Sequence, residues 1–106
     1  MVYYVPPKYF RQEEFVDPWT YEYYNARGWD VWRLFRSQIL YVAFTLRVRY
    51  GRAITINDWH QHKDKELCYR WRGFRTPKYD RYSAYSPHSM GGAIDLDVYG
   101  MGAEEV

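Results

Sequence analysis

The sequence predicts an α+β domain: a long amphipathic helix packed on a small, mainly antiparallel sheet. Three observations carry this. Between Asp30 and Tyr50, the residues Trp32, Phe35, Ile39, Val42, Ala43 and Leu46 recur at steps of three and four, the period of one helical face. AITI at 53–56 is short and β-branched, as strands are. AIDLDV at 93–98 alternates, with Ile94, Leu96 and Val98 on one face and Ala93, Asp95 and Asp97 on the other.

The chain has 106 residues, enough for one domain with a single core. Aromatic residues make up 22% of it, with 13 Tyr and 5 Trp, a composition that excludes a disordered segment. The net charge of +2, with arginines interleaved among acids, argues against a nucleic-acid partner. The lone Cys68 rules out an intrachain disulfide and reads as a buried thiol. MVYYVPPKYFRQEEF has neither an uninterrupted apolar core nor a small-residue cleavage site, and no apolar run reaches spanning length. Synthesis in the cytoplasm without a signal peptide, and no membrane partner, are therefore expected.

Residues 1–28 are rich in tyrosine, and Pro6, Pro7 and Pro18 break any long element. FRQEEFVDPWTYEYY could give a short helix, and the segment reads as one that wraps the domain with its rings. The helix over 30–50 follows, with Asp30 as N-cap, Gly51 as its C-terminal stop, and Arg47 and Arg49 in the last turns, where positive charge suits the dipole. The polar stretch 57–73 has room for a short helix, and Pro77 with the tyrosines at 79–85 marks a loop before the second strand.

The chemistry is concentrated in SPHSMGGAIDLDV, 86–98. On pattern alone, Asp95 and Asp97 are surface acids of a half-buried strand. Gly91 and Gly92, however, let the chain reverse so that Asp95 can return beside His88. An imidazole nitrogen and a carboxylate belong to the ligand set of catalytic zinc, which keeps one position open for water.

Ser86-x-His88-x-x-Gly91-x-Ala93-x-Asp95 resembles the S-x-H-x-x-G-x-A-x-D signature of the zinc D-Ala-D-Ala carboxypeptidases and L-Ala-D-Glu endopeptidases, cell-wall peptidases related in fold to the hedgehog signalling domain. Upstream, Gly73-Phe74-Arg75-Thr76-Pro77 is similar to the family's G-[YF]-R-[ST]-P stretch. The resemblance covers roughly residues 30–98, leaves out the first 28, and finds the insert between Ile56 and Gly73 longer than usual. It implies a hedgehog-like fold with zinc held by His88 and Asp95. It also implies that Arg75 lies by the scissile carbonyl, supporting negative charge there, and that Ser86 helps hold the substrate or the metal-site loop. Without the resemblance, Arg75 reads as a solvated or phosphate-type arginine and Ser86 as a turn former.

The family also needs a third metal ligand in a W-x-H stretch and a carboxylate general base, both beyond the strand. No histidine follows His88, and Val106 comes eleven residues after Asp95. Residues 100–106, GMGAEEV, read as a turn and the start of a helix, so the chain is taken as a family domain cut near residue 106, with its C-terminal part missing. His60 and His62 are conceivable rescue ligands but read as exposed loop histidines. Asp97 lies some 6.5–7 Å along the strand from Asp95, a long reach for joint ligation. Glu104 or Glu105 as a surrogate base has no support in spacing.

The expected function is zinc-dependent hydrolysis of peptidoglycan stem peptides, of a bacterial or phage lysis kind, acting at the cell wall if released. This chain alone is expected to have little turnover. The rivals are a non-catalytic binding module on the same fold, such as a degenerate prophage protein, and a single-strand nucleic-acid binder using arginines and rings. A strand edge left unpaired would favour self-association.

Overall fold

A computed structural model of the chain describes residues 9–62 and 68–102. Chain direction is set first by Asp17 and Pro18. The Asp17 carboxylate accepts the Thr20 amide (3.0 Å) and the Thr20 hydroxyl (2.6 Å), and Pro18 supplies a first helical residue that needs no N–H partner. Helix α1, Pro18–Ala26, therefore begins at the proline that the sequence suggested as a breaker.

Helix α2 is Ser37–Tyr50 and ends at Gly51, as expected, with Arg47 and Arg49 in its last turn. Its start differs from the expectation of a helix from Asp30. Trp32–Leu34 is a separate 3-10 turn with Val31 as its N-cap, and Asp30 Oδ1 accepts the Trp32 amide at 3.1 Å. Phe35 and Arg36 are then extended, with ψ of 146° and 142°. The break has a tertiary cause: the Arg36 amide donates to the Gly91 carbonyl at 2.9 Å, a bond that an unbroken helix would forbid. The interruption also shifts the helical face. Leu40 and Ala43 enter the core, while Val42, expected inside, is 48% exposed.

Strand β1, Ile54–Thr55, pairs antiparallel with strand β2, Asp97–Val98, in the register Ile54↔Val98 and Thr55↔Asp97. Tyr99 extends the pairing by donating its amide to the Ala53 carbonyl at 2.9 Å. The ladder is shorter than the expected 93–98, because Asp95 donates its amide to the Arg72 carbonyl (2.7 Å) rather than to β1. Alternation survives: Val98 is buried, Ile94 and Leu96 are half-buried, and Asp95 and Asp97 are exposed. The described residues thus form a small α+β domain of two α-helices, a two-stranded antiparallel sheet and several 3-10 turns.

Part of the N-terminal segment enters the core, while Trp19 and Tyr23 stay exposed on its helix. Phe10, Phe15 and Val16 are buried and cluster with Val31, Phe35, Leu40, Ala43, Ile54, Ile56 and Val98. Phe15 meets Phe10, Trp32 and Phe35 edge to face, with centroids 5.2–5.4 Å apart. The buried Val16 carbonyl accepts both the Asn57 amide nitrogen (2.9 Å) and the Trp59 indole (2.7 Å), tying this segment to the 3-10 turn at Trp59–Gln61. Cys68 is half-buried. No helix among the described residues is long and apolar enough to cross a membrane. Residues 1–8 and the anticipated helical start at 103–106, including Glu104 and Glu105, lie outside the described residues.

Candidate functional site

His88 rides on a 3-10 turn, Pro87–Met90, that opens with Ser86 and closes at Gly91. Pro87 presets the first residue, and the Ser86 hydroxyl accepts the His88 amide at 3.3 Å. Gly91 turns the chain with a left-handed φ of 68°. A side chain there would also stand 2.8 Å from the Leu34 carbonyl carbon and 2.9 Å from the Phe35 Cα. The glycine thus lets the turn sit directly on the 3-10 turn before α2.

The G-F-R-T-P stretch lies against this turn. The Arg75 amide donates to the His88 carbonyl at 3.4 Å, and the Phe74 amide to the Phe15 carbonyl at 2.9 Å. His88 Nδ1 is 3.0 Å from the Gly73 carbonyl. A carbonyl can only accept, so Nδ1 carries the proton, and in the neutral ring the Nε2 lone pair is left free. Nε2 faces Asp95 Oδ1 at 3.6 Å. The imidazole is largely enclosed, at 12% exposure, and the carboxylate is open, at 54%.

Arg75 completes the group. Its Nε donates to the Trp71 carbonyl at 2.7 Å, its Nη2 to Asp95 Oδ2 at 3.2 Å, and its guanidinium lies 4.9 Å from the centre of the Tyr79 ring. Such a fixed, planar cation suits an oxyanion or a carboxylate. The structure therefore brings His88, Asp95 and Arg75 together. Ser86 is placed as the cap of the His88 turn.

Three other residues stand apart from this group. Asp97 pairs with Arg72 Nη1 at 2.9 Å. His62 is exposed and pairs with Asp58 at 3.3 Å. His60 is half-buried rather than exposed, its Nδ1 is buried without a hydrogen-bond partner, and burial pushes its pKa below the ordinary 6.5. Among the described residues, no group of three or more His, Cys, Asp or Glu side chains is placed to hold a metal.

Residue patterns did not reveal the Gly73 and Trp71 carbonyls, which orient His88 and Arg75. Main-chain acceptors leave no mark in residue type. Comparison with protein-family models, curated proteins and solved structures gives no match.

Proposed function

We propose that this chain is a zinc-dependent peptidase-like domain of the D-Ala-D-Ala carboxypeptidase and L-Ala-D-Glu endopeptidase type, on a hedgehog-related fold, acting on peptidoglycan stem peptides in bacterial or phage lysis. The observation that carries this reading is the 3.6 Å between His88 Nε2 and Asp95 Oδ1. That gap is wider than the hydrogen bonds around the site, which span 2.7–3.4 Å. Two donors each ~2.0–2.2 Å from a tetrahedral zinc stand roughly 3.3–3.6 Å apart. The Gly73 carbonyl on Nδ1 is the outer partner that a metal-bound histidine ordinarily has.

His88 and Asp95 would hold the ion, which when bound supplies Lewis-acid polarisation of a carbonyl and a more acidic water. The protein's own part is orientation. Gly73 fixes the imidazole tautomer, and the Arg72 carbonyl fixes the Asp95 backbone. Arg75 spends one N–H on Trp71 and one on Asp95, leaving its other guanidinium N–H groups for an oxygen of the peptide.

The Arg75–Asp95 contact favours a second reading, a binding module without turnover. A guanidinium 3.2 Å from Oδ2 already balances the charge that would attract a cation. Zinc stoichiometry by equilibrium dialysis, combined with chromatography of a muropeptide digest, separates the two. Stoichiometry near one that is lost in His88→Ala, together with even slow formation of new muropeptide products over a prolonged digest, supports the peptidase. The same stoichiometry without products supports the module. Zinc uptake that His88→Ala leaves unchanged eliminates both.

A further inference from the structure

A groove of about 500 Å³ runs beside the candidate site, within the size range of small-molecule sites. Helix α1 supplies one wall with Trp19, Tyr23 and Tyr24, and Phe74 and Pro77 line it from the G-F-R-T-P stretch. Thr20, Thr76 and Lys78 add its polar groups. Phe74, Thr76, Pro77 and Lys78 flank Arg75 in sequence, so the groove and the site share one chain segment. Trp19 keeps 44% of its surface exposed and Tyr23 keeps 52%. Trp19 is held flat by stacking on Trp71, with centroids 6.1 Å apart and planes 15° apart, and Trp71 in turn meets Tyr79 beneath Arg75. Cations gather at this platform: Lys78 Nζ lies 5.7 Å and the Arg70 guanidinium 5.6 Å from the Trp19 ring.

Tyr23 and Tyr24 are tilted 52° to each other and Arg27 covers one face of Tyr23 at 3.4 Å, so the walls are ring faces and edges set at angles, with a few polar groups, and match a ligand that has an apolar face and a polar edge. Stem peptides built of alanine and acidic or diamino residues have little flat apolar surface to cover three rings. A pyranose has it, on its C–H face. The cations match the carboxylates of an attached peptide. Resting on the peptidase reading above, we infer that the groove is a subsite for the muramoyl sugar, so that the substrate is a glycan-attached stem peptide rather than a free one.

The test is binding to the full 106-residue chain, read by tryptophan fluorescence and by calorimetry. The probes are N-acetylmuramoyl-L-Ala-D-Glu, the sugar-free dipeptide and an oligothymidylate. The sugar-bearing probe is expected to bind at least tenfold tighter than the dipeptide. Trp19→Ala should abolish that preference and leave zinc stoichiometry unchanged, and Tyr23→Leu should reduce the preference with the circular-dichroism spectrum intact. Equal affinity for the two probes overturns the inference, as does a preference that survives both substitutions. Tighter binding of the oligothymidylate overturns it too, because the rings would then be a base-stacking platform. Sugar-dependent binding by a parent chain that takes up no zinc upholds the subsite while the metal reading fails, so the two are judged separately.

Discussion

Gly73→Ala tests the link between the N-terminal core and the site. A Cβ at residue 73 would run into the Phe15 carbonyl oxygen and stand 2.7 Å from its carbon and 3.2 Å from its Cα. Both elements are backbone, and Phe15 is fully buried, so neither can rotate away. Relief requires the 73–74 strand of chain to back off, which breaks the 2.9 Å bond from the Phe74 amide to Phe15. Overpacking costs about 1–3 kcal/mol and the lost hydrogen bond about 0.5–1.5 kcal/mol. The sum, about 1.5–4.5 kcal/mol, is a large share of the roughly 5–15 kcal/mol that holds a domain folded. At about 4–8 °C per kcal/mol for a domain near this size, the melting temperature should fall by roughly 6–36 °C. The Gly73 carbonyl would retreat from His88 as well, and loss of such an outer partner weakens metal affinity about 10–100-fold. Thermal melts followed by circular dichroism and zinc titration measure both effects. Gly92→Ala is the control, because its Cβ would stand 3.5 Å from Arg36 Nε and 3.6 Å from the Pro87 carbonyl oxygen, ordinary van der Waals contacts. If Gly73→Ala melts within about 2 °C of the parent, the close approach of residues 73 and 15 is not what positions the site.

Asn57→Ala should cost about 2–3 kcal/mol in a urea titration, because it removes the bond to Val16 and strands the Arg72 amide that Asn57 Oδ1 accepts at 2.9 Å. Asp95→Asn should lower zinc affinity at least about tenfold, whereas Asp97→Asn, breaking only an exposed pair with Arg72, should leave affinity unchanged and cost under about 1 kcal/mol; calorimetry with zinc compares them. His60 has a folded-state pKa below 6.5, so the unfolded chain binds its proton first as pH falls. Its contribution is intact above 6.5 and is lost as the pH drops through that value toward the depressed one. His60→Phe should remove this slope from a stability-against-pH curve, and it should be neutral or stabilising at pH 8, since it deletes a buried nitrogen that lacks a partner.

What the residues announce in advance is what side chains decide locally. Gly51 after Arg49 and Tyr50 marks the end of α2, AITI marks β1, and the alternation from Ile94 to Val98 gives the inward and outward faces around Asp95. The start of α2 was hidden because the Arg36 amide answers to the carbonyl of Gly91, 55 residues away, and periodicity cannot register such a bond. Asp17-Pro18 was a readable helix start, overshadowed by treating the proline as a breaker. The burial of Phe15 and Val16 was illegible for a different reason. In a segment this aromatic, rings on the surface and rings in the core are the same residue types, and only packing separates them.

The two residues of the proposed metal pair are held by adjacent peptide units. His88 takes its orientation from the Gly73 carbonyl, and the Asp95 amide is fixed on the Arg72 carbonyl. Arg72 and Gly73 are themselves pinned from the core: the Arg72 amide by buried Asn57, and the 73–74 link by buried Phe15. Asn57 and Phe15 meet in turn through the 10–17 segment, since Asn57 donates to Val16 and its own amide donates to the Glu14 carbonyl at 2.9 Å. The spacing of 3.6 Å between Nε2 and Oδ1 therefore depends on hydrogen bonds, several of them through the Asn57 side chain, that lead back to residues 14–16, outside the motif that suggests zinc. A chain that kept S-x-H-x-x-G-x-A-x-D but lost this segment would keep the proposed ligands without the geometry through which they would share an ion.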